Sequence, residues 1–133
     1  MLKKTITYTN YNDEKKTADF YFNLKKSELI DMQYSTPQGF IDYLDKITKT
    51  ENQVEIWRTF RDIILKAYGE KSEDGERFIK TPDRVKAFEE TEAFSELIYE
   101  LMTSSSAAAD FINGIMPRDL VESAKQEQLH AVD

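Results

Sequence analysis

The chain has 133 residues, of which 40% are apolar and 32% charged, so we expect one soluble, folded domain rather than a disordered segment. Its net charge of −7 argues against a non-specific nucleic-acid binder, because such proteins neutralise phosphates with basic side chains. The lack of cysteine excludes a disulfide framework, and no apolar run is long enough for a membrane span. The start "MLKKTITYT" alternates instead of forming the apolar stretch of a signal peptide, which predicts a cytoplasmic protein.

Residues 5–24, "TITYTNYNDEKKTADFYFNL", alternate between apolar and polar side chains around a polar centre. This period of two, with turn-forming residues in the middle, predicts a β-hairpin. Two strands alone are only marginally stable, so we expect the apolar face of the hairpin to pack against helices.

Helical patterns follow from about residue 26 to residue 116. "KKSELIDMQ" predicts a short helix that buries Leu29, Ile30 and Met32, and the pair Thr36-Pro37 predicts the start of the next one. In "ENQVEIWRTFRDIILKAYG", helical spacing places Val54, Trp57, Phe60 or Arg61, Ile64 and Tyr68 along one stripe, and its large apolar residues are expected in the core. Gly69 is then expected to end this helix in a left-handed conformation.

Three further start and stop signals lie in the second half of the chain. Thr81-Pro82 repeats the helix-start signal, and Thr91 is expected to cap a second segment. "SSSAAADFINGIMP" predicts a last helix that ends at Asn113-Gly114.

The predicted fold class is therefore α+β, mostly α, with an N-terminal β-hairpin packed on a bundle of about five to six helices. Residues 1–120 are predicted to form a single globular domain, and 121–133 a weakly structured tail, because the amphipathic pattern of Leu120, Val121 and Ala124 fades after them.

The acidic stretch "YGEKSEDGERFIK" invites comparison with a calcium-binding loop. No register of it supplies alternating oxygen ligands, a central glycine and a terminal glutamate, so we reject a calcium site. Asp74-Gly75 instead predicts the corner of a tight turn, with Arg77–Ile79 leaving it as a short extended piece.

The chain offers little for catalysis. Its one histidine, His130, lies in the weak tail, and its four glycines are isolated from each other, so neither a catalytic triad nor a phosphate-binding loop is indicated. We predict a protein that is not an enzyme and has no catalytic residue, cofactor or metal site.

The most informative apolar cluster is in "AAADFINGIMP", where Phe111, Ile112, Ile115 and Met116 lie within six positions. They are interpreted either as the end of the core or as a surface that binds another protein. Tyr11 and Tyr21 of the hairpin are further candidate contacts, since tyrosine is frequent at interfaces.

Charge is unevenly distributed along the chain. Residues 1–30 carry six bases and four acids, whereas residues 70–100 carry five bases and ten acids. This asymmetry is compatible with head-to-tail self-association, although a solvated surface explains it equally.

Three strings, "KKTITYTNYN…KKTADFYFNLKKSEL", "LKAYGEKSEDGERFIK" and "F…TEAFSELIYELM…AAADFINGIMPRDL", resemble the tail assembly chaperones of long-tailed, siphovirus-type phages and prophages of Gram-positive bacteria. The similarity covers nearly the whole chain as far as Leu120. It implies a non-enzymatic protein of the host cytoplasm that is absent from the mature virion. Such chaperones self-associate, and they coat the tape measure protein and keep it soluble.

The resemblance also implies a second partner, the tail-tube protein, which is recruited in many of these phages through a frameshifted C-terminal extension. Two alternatives remain open at the level of sequence. One is a structural tail-completion or head–tail joining protein, and the other is a small acidic phage regulator that inhibits a DNA-binding protein.

Overall fold

The computed structural model describes residues 1–35 and 39–118. The hairpin strands are β1 (Leu2–Thr9) and β2 (Lys15–Phe22), and the helices that follow are α1 (Lys26–Ser35), α2 (Phe40–Lys49) and α3 (Gln53–Ala67). The chain continues with β3 (Tyr68–Lys71), β4 (Phe78–Ile79), α4 (Pro82–Glu89), α5 (Glu92–Thr103) and α6 (Ser105–Ile115). An N-terminal hairpin with six helices in the described residues confirms the predicted fold class.

The strands form one antiparallel sheet in the order β1-β2-β3-β4. The hairpin register pairs Ile6 with Ala18 and Leu2 with Phe22, which places the even-numbered side chains of both strands on one face. At the turn, the Asn10 side chain accepts hydrogen bonds from the backbone N–H groups of Asn12 and Glu14, each at 3.0 Å. The polar residues that predict the turn therefore also make the hydrogen bonds that hold it.

The core lies between the inner face of this sheet and α3–α6, and its centre is aromatic. The Phe88 ring stacks on Tyr68 with centroids 4.2 Å apart and meets Phe22 edge-on at 5.7 Å. Phe22, itself fully buried, also contacts Phe111 of α6 at 5.3 Å. One cluster of rings thus connects hairpin, α4 and α6.

Lys80, between β4 and α4, makes hydrogen bonds with three segments that are distant from it in sequence. Its ammonium donates to the backbone oxygens of Asn23 and Lys66, each at 2.7 Å, and to Glu28 Oε2 at 2.8 Å. Burial lowers the pKa of Lys80, and the hydrogen bond that Lys80 donates to Glu28 acts in the opposite direction. This contact fixes the end of α3 and the start of α1 relative to the hairpin.

The loop between β3 and β4 is a turn whose carboxylate is satisfied internally. Asp74 Oδ1 accepts from Ser72 Oγ at 2.6 Å and from the Glu76 N–H at 3.1 Å, and Gly75 has φ +75°. The bond from Ser72 lowers the pKa of Asp74. The predicted corner at Asp74-Gly75 and the short extended piece after it are both confirmed.

The helix ends predicted at two glycines are only partly right, and both glycines permit a close approach. Helix α3 ends at Ala67 with Tyr68 as its C-cap, as a glycine at position 69 predicts, but Gly69 is not left-handed. Tyr68 is extended, with ψ 141°, so α3 leads directly into β3, and a Cβ on Gly69 would lie 2.5 Å from the Phe78 ring. Helix α6 does not stop at Asn113-Gly114 but continues to Ile115. A Cβ at Gly114 would lie 2.9 Å from Leu2 of β1, so the glycine is explained by this packing and not by a helix stop. Both glycines admit a neighbouring side chain.

The predicted stripe on α3 is partly wrong. Phe60 and Ile64 are buried, but Val54 is 58% and Trp57 45% exposed. Ile56 is partly buried, and full burial along α3 begins at Thr59. On α1, Leu29 and Met32 are buried as predicted, whereas Ile30 is 57% exposed.

The helix starts predicted at Thr81-Pro82 and Thr91 are both confirmed. Pro82 begins α4, and Thr91 Oγ1 accepts a hydrogen bond from the Phe94 N–H at 3.3 Å. Thr36-Pro37 and the predicted tail 121–133 lie outside the described residues, so the boundary at 120 stays a prediction.

Candidate functional site

An apolar groove of about 580 Å³ runs between the first half of α3 and α6, over the end of α5. Every side chain that the described part of the chain contributes to it is uncharged. Its main apolar residues are Ile56, Phe60, Leu101, Met102, Ala108 and Ile112. A groove with this lining favours an apolar segment of another polypeptide over a charged or small polar ligand.

The α3 wall of the groove is fixed by the cap that starts the helix. Asn52 Oδ1 accepts from the backbone N–H groups of Val54 at 3.1 Å and Glu55 at 3.2 Å, which satisfies donors that have no partner inside the helix. The helix therefore begins at a defined residue, and Ile56 and Phe60, four positions apart, point into the same groove.

The opposite wall depends on the tight corner between α5 and α6. Ser104 alone connects them: its N–H donates to the Glu100 oxygen at 3.0 Å, and its Oγ accepts from the Ala107 N–H at 3.2 Å. The residue ends one helix and caps the next, with φ −137° and ψ 110°. This sharp turn brings Met102 and Ala108 to the same side, as floor and wall of the groove.

Trp57 lies beside the groove on α3. It is four residues after Gln53 and three before Phe60, both of which line the groove, so the three share one side of the helix. Arg61 Cζ lies 5.9 Å from the centre of the indole ring, and Arg61 is itself anchored to Glu89 Oε2 at 2.6 Å. The indole is thus a half-exposed aromatic surface beside an apolar slot.

The predicted interface cluster of α6 divides between core and groove. Phe111 is 2% and Ile115 0% exposed, and the Ile115 oxygen accepts from the Leu24 N–H at 2.8 Å. Ile112 is half-buried and lines the groove, and Met116 is half-buried near the helix end. Phe111 and Ile115 lie where the core interpretation placed them, and binding through this cluster stays a prediction.

Neither tyrosine named from the sequence lies in the groove. Tyr11, at the hairpin turn, is 75% exposed, and a hydrogen bond with Glu92 raises its pKa. Tyr21 is half-buried, with the Lys71 ammonium 4.2 Å from its ring centre. A role for either in binding stays a prediction. Sequence reasoning missed Ile56 and Met102, because the spacing within one helix does not reveal what lies opposite it.

Within residues 1–35 and 39–118, no three His, Asp or Glu side chains are grouped as metal ligands would be. In the same part of the chain, no helix is long and apolar enough to cross a bilayer. His130 lies outside the described residues.

The model of the phage tail assembly chaperone family matches residues 1–133. The chain belongs to this family. The match spans the whole sequence and confirms the resemblance carried by the hairpin, the β3–β4 loop and α6. No curated protein and no solved structure matches the chain. Family membership supports a general role in tail assembly, with phage tail proteins as partners.

Proposed function

We propose that this tail assembly chaperone binds the tape measure protein, keeps it soluble, and helps to recruit tail-tube subunits while the tail is built. The family match over residues 1–133 carries the proposal. The groove gives it a physical basis, since an uncharged slot walled by two helices fits the apolar face of a third helix. No covalent step is involved: the protein acts by binding and release, and is not an enzyme.

The acidic surface has a part in the same function. With a net charge of −7, copies of the chaperone bound to an apolar client repel other coated clients and keep them in solution. Copies bound side by side along one long client contact each other, which is the form of self-association we propose. Light scattering of the free and the client-bound protein gives the number of copies in each complex and so tests this self-association.

The groove is tested by co-expressing the tape measure protein with groove variants. Ile112→Glu places a charge in the slot and is expected to weaken client binding at least tenfold, about 1.4 kcal/mol. Tyr99→Glu is the matched control, because Tyr99 is 68% exposed on α5 and does not line the groove. Circular dichroism and the urea midpoint check that both variants fold.

Client solubility that is equal with Ile112→Glu, Tyr99→Glu and the unchanged protein would show that binding occurs elsewhere. A client that stays insoluble even with the unchanged chaperone would contradict tape measure binding itself. We place the protein in the host cytoplasm and expect it to be absent from the finished particle. Mass spectrometry of purified virions distinguishes it from a tail-completion or joining protein, which would remain.

A further inference from the structure

We propose that the outer edge of β1 binds an extended, basic segment of another polypeptide, which pairs with β1 as an additional strand of the sheet. The added strand is antiparallel, like every other pair of neighbours in this sheet. The partner is defined by its chemistry: it has lysine or arginine at alternate positions and a backbone that is free to pair. This surface is distinct from the groove between α3 and α6.

Alternate backbone groups of β1 point away from the sheet. At the hairpin turn, the Asn10 N–H donates to the Glu14 oxygen at 2.9 Å, so these two residues are a hydrogen-bonded pair. Such pairs alternate along an antiparallel ladder, so the even-numbered residues of β1 bond to β2 and the odd-numbered residues point their N–H and C=O groups outward. The same alternation holds on β2, where the odd-numbered Asn23 donates its N–H away from β1, to the Ala67 oxygen at 2.8 Å.

Within the described residues, no other segment pairs with this edge. Strand β1 is the first in the sheet order, and no backbone hydrogen bond from elsewhere in the described chain reaches its odd-numbered residues, which are Lys3, Thr5, Thr7 and Thr9. All four are exposed. The strand has eight residues, no proline and an unbroken register, and its charged residues lie only at its start. A long, regular edge of this kind is a template for another strand.

Helix α5 runs beside this edge. A space of about 350 Å³ is bounded on one side by Thr5, Ile6 and Thr7 and on the other by α5. The α5 residues that line it, here called the shelf, are Glu96, Tyr99, Glu100 and Thr103. All four are exposed, and of these only Thr103 also lines the groove. Since side chains alternate along a strand, every second side chain of an added strand would face the shelf.

The charge of the shelf specifies the partner. Within the described residues Glu96 has no ion pair, and Glu100, although it meets Lys4 Nζ at 3.1 Å, keeps 45% of its side chain exposed. Basic side chains at alternate positions would face these carboxylates, and their aliphatic stems would cover Tyr99, which is 68% exposed. A second copy of the chain is a poor occupant, because twofold pairing of two β1 strands brings two α5 helices with the same acidic residues together.

The probe is a short fluorescent peptide of alternating threonine and lysine, titrated against the full chain by anisotropy. With its lysines over the shelf, its threonines lie opposite Thr5 and Thr7 and direct their N–H groups at β1, whereas the lysine N–H groups point away. N-methylation of the threonines is therefore expected to weaken binding at least tenfold more than N-methylation of the lysines. A peptide with glutamate in place of lysine should not bind.

Two substitutions at Thr7 separate the backbone from the side chain. Thr7→Val and Thr7→Pro both remove the 2.9 Å contact with the Thr17 hydroxyl, but only proline removes the outward N–H. Thr7→Pro is expected to bind the peptide at least tenfold more weakly than Thr7→Val. The shelf is tested by Glu96→Lys, with Glu73→Lys as the matched control, because Glu73 is exposed in the loop at the opposite edge of the sheet. Glu96→Lys should weaken binding at least tenfold and Glu73→Lys much less.

Equal binding of the two N-methylated peptides would overturn the proposal, and this comparison leaves the protein unchanged, so it holds even if Thr7→Pro does not fold. Equal binding by Glu96→Lys and Glu73→Lys would overturn the role of the shelf. A free protein that is a dimer in light scattering, and a monomer as Thr7→Pro, would also overturn the proposal, because a second copy would then occupy the edge. The tape measure protein takes no part in these measurements, so their outcome is independent of the proposed function.

Discussion

The ammonium of Lys80 gives the sharpest test of what holds the helices to the hairpin. Replacing it by methionine keeps the length of the apolar stem but removes donors to two backbone oxygens and one carboxylate, at 2.7, 2.7 and 2.8 Å. The ion pair with Glu28 is mostly buried, with the two side chains 18% and 27% exposed. The two backbone oxygens and Glu28 Oε2 would lose this donor at once, whereas Glu28 Oε1 would keep its bond from the Lys25 N–H at 3.0 Å.

The magnitude follows from these contacts. All three hydrogen bonds involve the charged ammonium, for which each contributes about 1.5–3 kcal/mol, so three together would give about 5 kcal/mol or more. The net contribution is smaller than this sum, because the carboxylate is partly accessible to solvent and burial lowers the pKa of Lys80. We expect Lys80→Met to lower the free energy of unfolding by about 2–3 kcal/mol.

Urea denaturation monitored by circular dichroism measures the effect. Lys86→Met is the matched control: its side chain is 68% exposed and reaches Glu89 only at 3.9 Å, so its loss should cost less than about 0.5 kcal/mol. If the two variants unfold at the same urea concentration, Lys80 does not hold these segments together and the reasoning fails.

Three other expectations concern the core. Phe88→Ala removes the ring at the centre of the aromatic cluster and should cost about 3–5 kcal/mol in urea unfolding; a loss under about 1 kcal/mol would contradict this packing. Burial, with Glu70 nearby, raises the pKa of Tyr68 from 10.0 to about 12. The free energy of unfolding is therefore unaffected by this group below pH 10 and falls by about 2 kcal/mol towards pH 12. If Tyr68→Phe still showed this loss in a pH titration, the assignment to Tyr68 would be refuted. Gly114→Ala, which stabilises an ordinary helix by about 1 kcal/mol, should instead lower the melting temperature here, because the new Cβ meets Leu2 at 2.9 Å; a higher melting temperature would show that Leu2 yields easily.

The elements that the sequence predicts correctly are those with local signals. Asn10 closes its own turn through bonds to Asn12 and Glu14, and Thr91 caps its own helix, so neither depends on distant parts of the chain. The failures at Gly69 and Gly114 have the opposite origin. Both glycines are explained by a side chain remote in sequence, Phe78 or Leu2, and no local pattern reveals such a neighbour.

Trp57 shows the same limit for burial. Periodicity places it on a stripe with Phe60 and Ile64, which are both buried, but full burial along the helix begins only at Thr59. Hydrophobic spacing predicts which side of a helix turns inward, whereas the length over which that side is covered depends on the neighbouring elements. The uncovered part borders the groove, so Trp57, which the stripe predicted to be buried, lies beside the proposed binding surface.

Phe111 and Ile112 show why the candidate site could be only half predicted. They are adjacent in sequence and similarly apolar, yet successive residues on a helix point about 100° apart. Phe111 turns to Phe22 and is 2% exposed, while Ile112 turns towards α3 and the groove. A substitution at Phe111 would unfold the protein and reveal nothing about clients. Ile112 is accessible enough to be changed within an intact fold, which separates binding from folding in experiment and makes it the residue on which the chaperone proposal is best tested.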